Sequence, residues 1–188
     1  GRGSINNYGQ VLHTSQLGGM AIWTPATPHG TTGETITFGL FVNFKALNDY
    51  GQILFTDTHT GFRLFQPAQA NVGTGTIVDL PMPPGSETMD AWDINDRGDV
   101  AGGRCVIVPG APCQPHGFIW RPTVPNGSTG AFTDVPPPAG YKSLSIFRLN
   151  NQGEAAGTLT RDSGLPVPLV YTGGTAYELP LSLPPGGF

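Results

Sequence analysis

Charge is scarce in this chain. Only 12% of its 188 residues are Asp, Glu, Lys or Arg, about half of the typical ~25%. Just two are lysines, Lys45 and Lys142. With a formal net charge of −4 and no basic run, the sequence predicts no nucleic-acid partner. Long apolar runs are lacking as well. None approaches the ~18–20 residues of a membrane-crossing helix, so no membrane span is expected. Helical periodicity is nearly missing, and almost no helix is expected. Nucleophile elbows, phosphate loops and zinc-ligand spacings do not occur. No catalytic residue, metal or cofactor is therefore assigned. The four histidines, His13, His29, His59 and His116, form no H-x-x-x-H pair and read as structural or exposed.

Gly (28) and Pro (19) are abundant, which would suit a disordered chain. Against disorder stand 38% hydrophobic and 10% aromatic residues in short alternating runs. Gly and Pro then read as turns between many strands.

A short stretch recurs four times: "SINNYGQVLHTS", "ALNDYGQILFTD", "DINDRGDVAGGR" and "RLNNQGEAAGTL". The common pattern is aliphatic, Asn, Asn or Asp, any residue, Gly. It places Asn6, Asn48, Asn95 and Asn150 at spacings of 42, 47 and 55, each with a glycine three residues on: Gly9, Gly51, Gly98 and Gly153. An aromatic-ended strand follows each turn, at Trp23, Phe65, Trp120 and Tyr171. Then comes "TIVDLPMPPG", "AFTDVPPPAG" or the looser "AYELPLSLPPGG". Each unit reads as four short strands. Four-stranded antiparallel units at this period predict an all-β, β-propeller-like array of about four units, 1-38, 39-84, 85-138 and 139-188. The first unit lacks most of its leading strand and the last stops after a Pro/Gly linker. The ends are thus complementary, and the chain reads as a segment whose open strand edge another β segment completes.

In the Asn turns the side chain bonds nearby amides and the glycine takes positive φ. Asp93, Asn95 and Gly98 match positions 1, 3 and 6 of a calcium loop, but Arg97 and Arg104 stand at positions 5 and 12, where carboxylates belong. Asp79, Asp134 and Glu178 recur at one place in three of the units and read as fixed hydrogen-bond partners rather than a catalytic pair. The matched strand-end positions of Trp23, Phe65, Trp120 and Tyr171 read first as core between units; Trp120, and above all Trp92 outside the repeat, are candidate stacking platforms for a glycan. Asn126-Gly127-Ser128 is a formal glycosylation sequon. Cys105 and Cys113 bracket an insertion in the third unit with a Pro-Gly turn between them. They predict a disulfide and an oxidising compartment.

The "IN-x-x-G-x-x-x-G" turn, followed by His116-Gly117-Phe118-Ile119-Trp120 and a downstream acidic-aliphatic pair, resembles the HAF-repeat family of probable extracellular repeat proteins. The His is replaced in the other units ("GGMAIW", "TGFRLF", "PVPLVY"). The resemblance covers nearly the whole chain. It implies an extracellular or cell-surface location and carries no catalytic residues. The expected function is a non-enzymatic structural module that associates with itself or with another extracellular protein. The alternatives are a carbohydrate-binding propeller and a fragment of a larger propeller enzyme.

Overall fold

The computed structural model describes residues 3–14, 19–40, 43–56 and 61–180. The terminal linker copy at 183–188 lies outside them. Sixteen strands and no helix occur among the described residues. They form four separate sheets, each an antiparallel meander in chain order. The first sheet holds β1 (Ser4–Ile5), β2 (Val11–Thr14), β3 (Gly19–Pro25) and β4 (Gly33–Leu40). The second holds β5 (Asn43–Leu47), β6 (Ile53–Thr56), β7 (Phe62–Pro67) and β8 (Gly75–Asp79). The third holds β9 (Ser86–Ile94), β10 (Val100–Val106), β11 (Gln114–Pro122) and β12 (Gly130–Val135). The fourth holds β13 (Tyr141–Leu149), β14 (Ala155–Arg161), β15 (Pro166–Thr172) and β16 (Thr175–Glu178). In every sheet the first two strands flank an Asn turn, and the third carries the aromatic.

Successive side chains on a strand point to opposite faces, so neighbouring positions report on both faces of a sheet. Leu64 and Phe65 are both buried, as are Ile119 and Trp120. The second and third sheets are therefore covered on both sides. In the first sheet Ile22 is buried but Trp23 only half so. In the fourth, Tyr171 is buried but Val170 only half so.

Three hydrophobic clusters fill the gaps between consecutive sheets. Leu12, Ile22 and Phe38 of the first sheet meet Ile53, Phe55 and Phe65 of the second. Leu54, Leu64 and Leu80 meet Ile94, Val100 and Trp120. Ala101, Ile119 and Val135 meet Leu149, Ala155 and Tyr171. Equivalent strand positions build each junction, except that in the first Phe55 fills space beside the half-buried Leu47, the counterpart of Ile94 and Leu149; the sheets join face to face. No substantial contact joins the first and fourth sheets among the described residues.

The Cys105–Cys113 disulfide is present, with its Cα atoms 5.4 Å apart. It ties Cys105, inside β10, to Cys113, just before β11, across the end of the hairpin ladder at the Val106–Gln114 pair, around a Val108–Ala111 turn.

Candidate functional site

The four recurrent turns share one polar hydrogen-bond pattern. In each, the Asn carbonyl accepts from the glycine amide three residues on: Gly9 at 3.0 Å, Gly51 at 3.1 Å, Gly98 at 3.0 Å and Gly153 at 3.1 Å. All four glycines have positive φ, between 82° and 94°. At Gly98 a side chain would be strained by φ alone, and its Cβ would also crowd the Asn126 backbone.

The Asn side chain works twice over. Oδ1 of Asn95 accepts from the amides of Arg97 (3.0 Å) and Asp99 (2.9 Å). The same pair of bonds recurs at Asn6, Asn48 and Asn150. Nδ2 donates to the side chain four residues on: Gln10 (2.8 Å), Gln52 (2.8 Å), Asp99 (3.1 Å) and Glu154 (2.8 Å). It also donates to the Asn carbonyl of the next turn: Asn6 to Asn48 at 3.0 Å, Asn48 to Asn95 at 2.9 Å, Asn95 to Asn150 at 2.9 Å. Only a carboxamide offers two acceptor lone pairs and two donor hydrogens on one short stem.

A parallel ladder runs through the second turn position. The amide of Asn7 donates to Asp49 Oδ1 at 2.8 Å, that of Asp49 to Asp96 Oδ1 at 2.7 Å, and that of Asp96 to Asn151 Oδ1 at 2.9 Å. The ladder itself needs only an acceptor oxygen, which Asn and Asp both offer. Where Asn stands, its Nδ2 also donates to the neighbouring carboxylate, Asn7 to Asp49 Oδ2 and Asn151 to Asp96 Oδ2, both at 2.6 Å. Asn6, Asn48 and Asn95 are buried with their partners Gln10, Gln52 and Asp99. Asn150 and Glu154, at the fourth turn, are exposed.

Sequence reasoning missed the loops that brace these turns. The amides of His29, Asn71 and Asn126, all at φ near 58°, donate to the carbonyls of Tyr8 (3.0 Å), Tyr50 (2.9 Å) and Arg97 (2.8 Å). The available signal was Pro25, Pro67 and Pro122, each two residues past the aromatic, with the left-handed residue four further on. In the fourth sheet a tight Gly173-Gly174 turn replaces this loop. The sequon Asn126 belongs to this bracing set: its Oδ1 accepts from Asn48 Nδ2 at 3.4 Å and its carbonyl from Gln52 Nε2 at 3.2 Å.

The repeated carboxylates each face an arginine across the sheet. Asp79 takes Arg63 at 2.8 Å, Asp134 takes Arg104 at 2.9 Å and His116 Nδ1 at 3.0 Å, and Glu178 takes Arg161 at 2.5 Å. The Tyr141 hydroxyl also donates to Glu178. The Arg161 hydrogen bond, then that of Tyr141, holds the Glu178 carboxyl below its usual range, and Glu178 in turn raises Tyr141. Hydrogen bonds from Asn150 and then Thr172 lower Glu154. Asp93 does not join a cation loop with Asn95. Its Oδ2 accepts the Leu149 amide at 2.9 Å, and burial pushes its pKa up against that bond.

The two candidate stacking residues separate. Trp120 is 1% exposed, packed between the second and third sheets. It has no free ring face and cannot stack on a glycan, contrary to the expectation from sequence. The aromatic repeat places it in the junction for the same reason that it places Phe65 there. Trp92 is half-buried, edge-on to Phe147 with centroids 6.1 Å apart, and Lys45 Nζ sits 4.5 Å over its ring. It borders a cleft of about 430 Å³ with Asp90, Arg104, Ser145 and Phe147.

No protein-family model, curated protein or solved structure matches the chain.

Proposed function

We propose that the chain is a non-enzymatic structural repeat module, a propeller-like array of stacked four-stranded units that works outside the cell or on its surface. The observation that carries this reading is the double ladder of turns. The residue types repeated in every unit are engaged in binding their own turn or the next one, and the repeated carboxylates are neutralised by arginines. A repeated residue committed to its neighbouring unit serves continuity of the array, as in other quasi-one-dimensional repeat proteins. The disulfide supports an oxidising compartment, and the HAF-like turns support the extracellular assignment.

Carbohydrate binding at the Trp92 cleft is the second reading, favoured by an aromatic ring beside Asp90, Arg104 and Ser145. Lys45 must leave the ring face for a sugar to stack there. Thermal unfolding in the presence of an oligosaccharide panel, and separately with calcium or a chelator, tests the structural reading. The melting temperature is expected to stay within about 1 °C throughout. A saturating rise with one glycan, several degrees in size as a ligand at many times its Kd produces, overturns it in favour of the second reading.

A further inference from the structure

The outer faces of the first and fourth sheets are two halves of a junction that the chain builds three times internally. The face that looks back toward the preceding sheet carries the leading aliphatic, the residue after the turn and the aromatic. In the second sheet these are Leu47, Ile53 and Phe65, in the third Ile94, Val100 and Trp120, and in the fourth Leu149, Ala155 and Tyr171; all are buried except Leu47, which is half-buried. Their counterparts in the first sheet are Ile5, Val11 and Trp23. Ile5 is 70% exposed, against 5% for Ile94 and 9% for Leu149, and Val11 and Trp23 are half-buried.

The face that looks forward shows the same contrast. Leu12, Ile22 and Phe38, then Leu54, Leu64 and Leu80, then Ala101, Ile119 and Val135 are all buried. The fourth-sheet counterparts are Ala156, Val170 and Leu179. Ala156 is exposed, Val170 half-buried and Leu179 43% exposed. The polar ladder is open at the same face, because Asn150 Nδ2 bonds Glu154 and the amide of Asn151 faces no following turn among the described residues.

We propose that the fourth sheet of one copy stacks on the first sheet of another, head to tail. Ile5, Val11 and Trp23 of the second copy take the places that Leu149, Ala155 and Tyr171 hold within the chain, against Ala156, Val170 and Leu179. Asn150 Nδ2 donates to the Asn6 carbonyl of that copy, and the Asn151 amide donates to its Asn7 Oδ1, continuing both ladders. The occupant is a second copy because its exposed head repeats the residue classes, aliphatic, aliphatic and aromatic, that already fill the three internal junctions. Such a contact is heterologous: it grows into a filament, or into a ring if the rotation closes. This inference rests on the structural reading above. Association is measured without any ligand, so glycan binding could overturn that reading while leaving this one standing.

Light scattering on the purified 188-residue chain across a concentration series tests it. Mass is expected to climb with concentration. Ile5→Glu at the head and Leu179→Glu at the tail should each weaken association by roughly tenfold or more while leaving circular dichroism unchanged, with Ala156→Glu as a second tail variant. A head-blocked and a tail-blocked chain, mixed, should form a one-to-one dimer and nothing larger, since each retains one intact face. Mass that stays monomeric at every concentration overturns the proposal. So does association that both variants leave intact, or a mixture that fails to pair.

Discussion

Asp49 and Asp96 occupy the second turn position without penalty, whereas every first position is an Asn. The difference lies in what each position must do. Every first residue donates through Nδ2 to the side chain four residues on, whereas at the second position a side-chain donor is present in Asn7 and Asn151 and absent in Asp49 and Asp96. Asn95→Asp would turn Nδ2 into an oxygen facing the Asp99 carboxylate and the Asn150 carbonyl, leaving a buried acceptor without a donor. A loss of about 2 kcal/mol or more is expected, read as a lower urea midpoint. Asn150→Asp, at an exposed position where Nδ2 bonds Glu154 and no next turn among the described residues, should cost much less. Asp93 gives a pH test. Its folded pKa is raised by burial, so the protonated form suits the fold. Its favourable contribution is complete below the unfolded value of 3.8 and is lost as pH rises through the folded value. Asp93→Asn keeps an oxygen for the Leu149 amide and carries no charge. The variant is expected to equal or exceed the parent in stability at neutral pH, with its advantage shrinking as the medium is acidified. Urea unfolding at a series of pH values checks this, and an advantage that grows toward acid would contradict it.

At the scale of elements, the internal sheets depend on both faces while the outer sheets depend on one. Ile119 and Val170 hold the same position on β11 and β15, yet Ile119 fills a junction and Val170 lies on the open face. Ile119→Ala is expected to cost roughly 2–4 kcal/mol, through lost burial and the cavity left behind. Val170→Ala should cost under about 1 kcal/mol in the monomer. Chemical denaturation of the two variants at low protein concentration makes the comparison. The disulfide acts on one hairpin. Its loop is short, so reduction should remove only about 2–3 kcal/mol by the chain-entropy account. Reduced protein is expected to keep its far-ultraviolet dichroism, and protease cleavage to appear within residues 107–112. Global unfolding on reduction would show that the hairpin holds more than itself.

For the whole molecule, stability in such an array is a sum of unit and junction contributions. The second and third sheets have two junctions each, and the first and fourth one. Amide hydrogen exchange of dilute protein should therefore protect β6, β7, β10 and β11 most, and β1 and β16 least, because opening an end sheet breaks a single junction. As concentration rises, protection is expected to increase at β1, β2, β15 and β16, since a stacked neighbour would turn end sheets into internal ones. Equal protection in all four sheets at low concentration would argue against independent junctions.

The primary structure alone determined the number and kind of strands, the turn at each Asn-Gly pair and the hairpin that the cysteines close. Each of these depends on contacts within a few residues: alternation of apolar side chains, amides reached by an adjacent carboxamide, a glycine free to take positive φ. Tertiary structure decided what those elements do to one another. That Asn95 reaches Asn150, 55 residues away, cannot be read from either turn, since the local bonds are the same whether or not a neighbour lies within reach. The bracing loops at His29, Asn71 and Asn126 were faintly legible as spaced prolines, but their role depends on where the turn carbonyls lie. The strand-end position that Trp120 shares with Trp23, Phe65 and Tyr171 favours a core over a surface platform, and the packing of the second sheet against its ring assigns it to the core. The joining of sheets through faces rather than strand edges was hidden for the same physical reason. Alternation shows that a strand has two apolar faces, and only the stacked sheets decide which of those faces water still reaches.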